Sequence, residues 1–136
     1  MVELLIGKKG TGKTKALIEK VNTAANVANG NVVFISKNTS DHMYEIKTNV
    51  RMVDTKELEI ESYEQFYGFI CGIISGNFDI THIFVDGIFK IVDKTLDGFE
   101  TFLKHIEALG QKFNISFEIS VSIDVNDAPD YIKAYA

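Results

Sequence analysis

The chemistry written most plainly in this chain lies in eight residues near its start, Gly7-Lys8-Lys9-Gly10-Thr11-Gly12-Lys13-Thr14. Glycines at 7, 10 and 12 tolerate positive φ and let backbone N–H groups approach phosphate oxygens with no Cβ in the way. Lys13 places an ammonium where β and γ phosphates would lie, and Thr14 offers a hydroxyl to Mg²⁺. Lys8, Lys9 and Thr11 complete the loop and add cationic and hydroxyl groups around the same anion. This donor set predicts a nucleotide and Mg²⁺ as the bound species. ATP is the default, because neither Ser36-Lys37-Asn38 nor Val92-Asp93-Lys94 matches the N-K-x-D type of element that selects guanine.

A metal held at Thr14 needs an anionic partner, so the chain should contain an apolar strand that ends in an acid. Thr81-His82-Ile83-Phe84-Val85-Asp86 is such a run, β-branched and aromatic, and Gly87 follows it. Lys13 and Asp86 are therefore the candidate catalytic pair, and Thr14 and Asp86 the candidate metal pair. His82 stands four residues before Asp86, hence on the same strand face, near enough in pattern to be either a phosphate neighbour or an ordinary core histidine.

These groups need elements to hold them. Val2-Glu3-Leu4-Leu5-Ile6 reads as a buried strand leading into the loop, and a helix from about Gly12 to Ala28 leads out of it, with Gly30 as its stop. Strands are expected at Asn31 to Ser36 and at Val50 to Asp54. The apolar stretch Phe66 to Ile74 is too short to span a bilayer and reads as a helix, with Ser62 and Gln65 as a capping box and Gly76-Asn77 as a stop. Apolar on nearly every side, it either lies between other elements or turns a face to a partner. Another helix is expected from near Asp97, capped by Glu100, presenting Phe99, Phe102, Leu103, Ile106 and Leu109 before Gly110. A last strand alternates Ile115, Phe117, Ile119, Val121 and Ile123 with Ser116, Glu118, Ser120 and Ser122, and a short helix from about Ala128 closes the chain. Asn38 to Lys47, with His42 and Tyr44, reads as a polar loop near the nucleotide or as a plain surface connection. The acids from Asp54 to Glu64 read as a solvated face.

Composition bounds the function. With 136 residues, 46% of them hydrophobic, the chain fits one nucleotide-binding domain spanning 1–136. A formal charge of −5 argues against a broad nucleic-acid surface, since phosphate contacts of that kind need clustered Lys and Arg away from the loop. Cys71 is the single cysteine, which suits a reducing cytoplasm, and no signal peptide or membrane span is visible.

Taken together, the Gly7 to Thr14 loop and the acid-ended strand resemble the P-loop NTPase superfamily over nearly the whole chain. Two strand candidates lie between the loop and Asp86, a layout similar to the RecA-like, additional-strand division, which includes pilus-retraction or twitching-motility ATPases and type II thymidine kinases. The resemblance implies an α/β fold: a mainly parallel five-stranded sheet with flanking helices, in three layers or, given the polar face of the last strand, partly in two. It also implies that the last strand inserts between the loop strand and the strand of Asp86. Ser120 and Ser122 would then stand near a γ-phosphate.

The departures from that pattern carry as much weight. Many members of this division place a catalytic Glu directly after the metal-binding Asp, or at the end of the strand after the loop helix; here Gly87 and Ser36-Lys37 hold those positions. Glu118, Asp54 and Asp124 are substitutes to consider. No zinc-binding cysteine set is present, so the nucleoside-kinase lasso has no counterpart. Arg51 is the only arginine, and its place in an apolar strand pattern predicts a structural ion pair rather than an arginine finger. The expectation is a Mg-ATP-binding protein whose hydrolysis is slow or depends on a protein partner or on a further copy of the chain, with a small-metabolite phosphotransferase or a non-catalytic nucleotide-binding subunit as the alternatives.

Overall fold

A computed structural model describes residues 1–92 and 95–136. Asp93 and Lys94, part of the comparison with a guanine-selecting element, lie outside the described residues. Five strands, β1 (Val2–Gly7), β2 (Asn31–Ser36), β3 (Arg51–Asp54), β4 (Ile80–Asp86) and β5 (Ser116–Ser122), form one sheet in the order β1-β5-β4-β2-β3, and every neighbouring pair is parallel. The helices are α1 (Lys13–Val27), α2 (Tyr63–Ser75), the single turn α3 (Ile88–Ile91), α4 (Phe99–Phe113) and α5 (Asp130–Tyr135). The last strand does insert between the loop strand and the strand of Asp86. Parallel neighbours so far apart in sequence need crossover helices, which is why the apolar runs alternate in period between strand and helix along the chain.

The two faces of the sheet are covered unequally. Leu17, Ile18, Val21 and Ala24 of α1, joined by Ile46 and Val50, pack on Val32, Phe34 and Phe84. On the opposite face α2, α4 and α5 bury Phe66, Ile70, Phe99, Leu103, Ile106 and Ile132 against Val33, Ile35, Ile83, Val85, Phe117 and Ile119. Val32 to Ser36 are buried in succession because β2 is covered on both sides. In β5, Phe117, Ile119 and Val121 are buried, whereas Ser116, Glu118 and Ser122 are half-buried on the side that carries α1. The alternation thus marks partial cover, and β5 is an interior strand.

Several local expectations shift by a residue or more, each for an identifiable reason. Ser62 caps α2 by accepting from Gln65 N at 3.1 Å, but Gln65 Oε1 reaches back past it to Glu61 N at 2.7 Å. The α2 helix is covered on one side and partly on the other: Tyr63, Phe66, Ile70 and Ile74 are buried, while Tyr67, Phe69, Cys71 and Ile73 are half-buried. Asp97 does not cap α4; Gly98, left-handed at φ 85°, is its N-cap, and Thr95 Oγ1 takes the Asp97 amide at 3.1 Å. Gly30 does not terminate α1, which ends at Val27 with Ala28 already extended. Arg51 is exposed on edge strand β3 and has no ion pair among the described residues, because the burial its neighbours suggested does not extend to a strand with one open edge.

Gly110 is likewise no stop signal, since α4 runs on to Phe113 and Asn114 takes the left-handed cap at φ 55°. Its role is close approach: a Cβ there would stand 2.6 Å from the Ile115 carbonyl oxygen, inside the turn that sends the chain into β5. Gly110→Ala is expected to destabilise the fold by about 2 kcal/mol, because the clash is with backbone that cannot swing aside. Denaturant unfolding of the variant against the parent checks this.

Candidate phosphate and metal site

At the C-terminal end of β1 the chain turns sharply, and the residues of the turn are held by their own side chains. Thr11 Oγ1 and Lys13 Nζ both donate to the Lys8 carbonyl at 2.7 Å, which closes the loop into a ring. Gly10 and Gly12 sit at φ 84° and 87°, where a side chain would be strained. At Gly7 a Cβ would meet Thr11 Oγ1 at 2.8 Å, so the ring closes only around a glycine. Gly12 is also the N-cap of α1 and no side chain takes a cap bond there, so the opening amides of the helix stay available beside the loop.

The second half of the site comes from β4 and lies against the first. Thr14 Oγ1 donates to Asp86 Oδ1 at 3.1 Å, joining residues 72 apart in sequence. Asp86 is only 5% exposed, and Ser120 Oγ donates to the same oxygen at 3.0 Å while accepting from Gly87 N at 2.7 Å. Ser120 therefore orients Asp86 from the adjacent strand and fixes the turn after it. It is buried behind the carboxylate, in contrast to the γ-phosphate position expected of it, because the register of β5 brings it level with Asp86. Ser122 does reach the cavity at the strand ends, with Lys8, Lys9, Gly87 and Asp124. Lys13 is held below its usual pKa by burial, a shift that Asp86 opposes and Lys90 reinforces.

Of the acids considered as substitutes for a catalytic Glu, Asp124 lines the cavities beside the loop, and the other two stand elsewhere. Asp54 accepts from Thr39 N, Thr39 Oγ1 and Lys56 N at the edge of the sheet, a turn-forming role. Asp124 pairs with Lys8 at 3.3 Å and caps the following turn through Asn126 N. Glu118 pairs with Lys20 at 3.5 Å, midway along α1. Ser36 is the register neighbour of Asp86 in β2, as the resemblance implied for that position, but its hydroxyl accepts from Asn38 N at 3.2 Å. His82 bonds Thr81 Oγ1 at 2.8 Å and stacks on Phe84, about 13 Å up the strand from Asp86, where burial lowers its pKa. The segment with His42 and Tyr44 is tied to the middle of α1, where Asn22 bonds Glu45 O and Lys47 N.

Glu118 gives a pH prediction. Burial raises its pKa, the facing Glu3 carboxyl adds to that, and Lys20 opposes it. A carboxyl whose folded pKa lies above its unfolded one binds protons more tightly in the native state. Stability is therefore full below the unfolded value and falls as pH rises through the folded one. Glu118→Gln should be more stable than the parent at neutral pH, and the difference should vanish in acid below the unfolded pKa; thermal unfolding across pH measures it.

Two open spaces adjoin the loop, and a third lies beside them. One of about 560 Å³ runs from Gly7 and Lys13 to Val125 and Asn126, and another of about 350 Å³ lies between Lys8, Lys9 and Gly87. A third, of about 710 Å³, lies across Lys90 from the second and reaches Lys37, Glu59 and Glu61. The amide-lined ring, the ammonium inside it and the hydroxyl–carboxylate pair at its mouth suit a polyphosphate and a hard divalent cation. No helix among the described residues is long and apolar enough to cross a membrane.

No family profile matches this sequence, and no curated protein sequence does. The fold is similar to that of a solved KaiC-like protein from the hyperthermophilic archaeon Pyrococcus horikoshii OT3, with a TM-score of 0.68 over 98% of this chain and 68% of that one. At 16% identity the likeness is one of fold.

Proposed function

We propose that this chain, as a single nucleotide-binding domain, binds Mg-ATP on the Gly7 to Thr14 loop and acts as a slow or partner-dependent ATPase or switch. The observation that carries the reading is the Thr14–Asp86 contact of 3.1 Å at the mouth of the glycine loop. Gly7 to Thr14 would hold the phosphates, with Lys13 as the charge beside β and γ, and Thr14 and Asp86 would hold Mg²⁺. The ion would supply charge neutralisation of the phosphate oxygens. The fold likeness to a KaiC-like protein supports a nucleotide-binding role and self-assembly as the route to a complete site. Gly87 after Asp86 and Ser36 beside it hold the two positions where a water-orienting Glu is expected, so binding is expected to outrun hydrolysis. A nucleic-acid partner does not fit the charge of −5, and a cytoplasmic setting fits the lone Cys71.

Phosphate release measured across a range of protein concentrations, with and without Mg²⁺, tests this. A specific rate that is slow when dilute and rises with concentration supports it. A brisk, concentration-independent rate that survives Lys13→Ala would sink it. Tight Mg-ATP binding with no turnover at any concentration would instead favour a non-catalytic nucleotide-binding subunit.

A further inference from the structure

We propose that Lys90 is a second ammonium contact for the terminal phosphate of a nucleoside triphosphate, and that it makes the site favour the triphosphate over the diphosphate. This rests on reading the glycine loop as a phosphate site. It adds a residue four positions beyond Asp86 that no motif marks.

The turn α3 begins directly after Asp86 and Gly87, and it is anchored from below by Ile88 and Ile91, which are 0% and 6% exposed. Lys90 projects from the opposite side and is exposed. Its stem lies across Gly87: a Cβ there would meet Lys90 Cδ at 3.2 Å and Cε at 3.7 Å. The space that a side chain following Asp86 would occupy is thus taken by the methylenes of Lys90. Gly87, at φ 70°, both permits the turn and leaves room for that stem.

Lys90 shares the 350 Å³ cavity with Lys8 and Lys9 of the loop, Ser122 and Asp124, and Asp124 is paired with Lys8. A phosphate chain that runs from the loop into this cavity would bring its third phosphate toward the Lys90 ammonium. Lys8, Lys9 and Lys90 thus bring three ammonium groups to one cavity against the single carboxylate of Asp124. Like charges gathered there repel, and an added anionic group between them relieves the repulsion. A diphosphate bound on the loop amides and Lys13 does not extend that far toward Lys90. A triphosphate does, and the flexible stem lets the ammonium close onto it.

The test compares Mg-ADP with a non-hydrolysable Mg-ATP analogue by calorimetric titration of the parent, Lys90→Ala, Lys90→Gln and Lys90→Arg. Lys90→Ala and Lys90→Gln should weaken the triphosphate analogue by roughly ten- to a hundredfold, the range of one hydrogen bond to a charged group, and change Mg-ADP by about twofold at most. Lys90→Arg should keep most of the preference. Lys90→Gln retains the stem over Gly87, so a loss in both variants reports the charge and not the packing. Equal losses for both nucleotides, or none for either, would overturn the assignment while leaving the phosphate loop in place. A parent protein that binds neither nucleotide overturns the loop reading and this one with it.

Discussion

Lys13→Ala is expected to lower Mg-ATP affinity by roughly a hundredfold or more and to abolish any turnover, while the thermal unfolding midpoint of the free protein stays close to that of the parent. The size follows from what the ammonium does. Charge-assisted hydrogen bonds contribute about 1.5–3 kcal/mol each, and Lys13 is placed for two phosphates, so losing it costs on the order of two to four decades in affinity. In the free protein the ammonium bonds only the exposed Lys8 carbonyl, which water can serve when the side chain is gone. Stability and binding should therefore separate cleanly. Lys13→Arg should not rescue, because beyond Cδ the larger planar guanidinium replaces the compact ammonium that bonds the Lys8 carbonyl inside the ring. Calorimetric titration with Mg-ATP alongside a thermal melt checks both halves. Unchanged binding in Lys13→Ala would move the nucleotide away from the loop altogether.

How much of this was legible in the sequence depends on whether the governing contact is local. The loop was legible because its requirements are local: Gly7, Gly10, Gly12, Lys13 and Thr14 are needed at fixed spacing by the turn itself. The strands were legible from apolar runs, and β2 coincides with its expected range because both of its faces are covered. The insertion of β5 between β1 and β4 followed from resemblance; alternation alone gave a strand with one polar face, and the sheet order shows that strand to be an interior one.

What could not be read depends on neighbours distant in sequence. Ser120 looked like a phosphate contact because it lies near the end of β5, but the register that sets it behind Asp86 involves residues 34 apart. Gly110 looked like a helix stop, since the Ile115 carbonyl that excludes a side chain there is fixed only once α4 turns into β5. Arg51 looked buried because its strand is apolar, and nothing in that pattern announces an open edge. Lys90 carried no signal at all: a lysine after an apolar turn is an ordinary surface residue until Gly87 brings its stem across the strand end.

Asp86→Asn is the variant that separates the metal from the fold. Asn Oδ1 can accept from Thr14 and Ser120 as the carboxylate does at 3.1 and 3.0 Å, so both bonds that tie β4 to α1 and β5 survive. Removing a charge from a side chain 5% exposed also lowers the cost of burying it, so folding stability should hold within about 1 kcal/mol or rise. What disappears is the negative charge that a hard divalent cation needs next to Thr14. Triphosphate affinity measured against Mg²⁺ concentration should therefore climb steeply in the parent and be nearly flat in Asp86→Asn, with apparent Mg²⁺ affinity reduced by roughly ten- to a hundredfold. Affinity in EDTA should be similar in the two proteins, or slightly higher in the variant, since a carboxylate near phosphate repels it when no metal lies between them. An equal Mg²⁺ response in both proteins would assign the metal to another acid and leave Asp86 as a structural partner of Thr14 and Ser120.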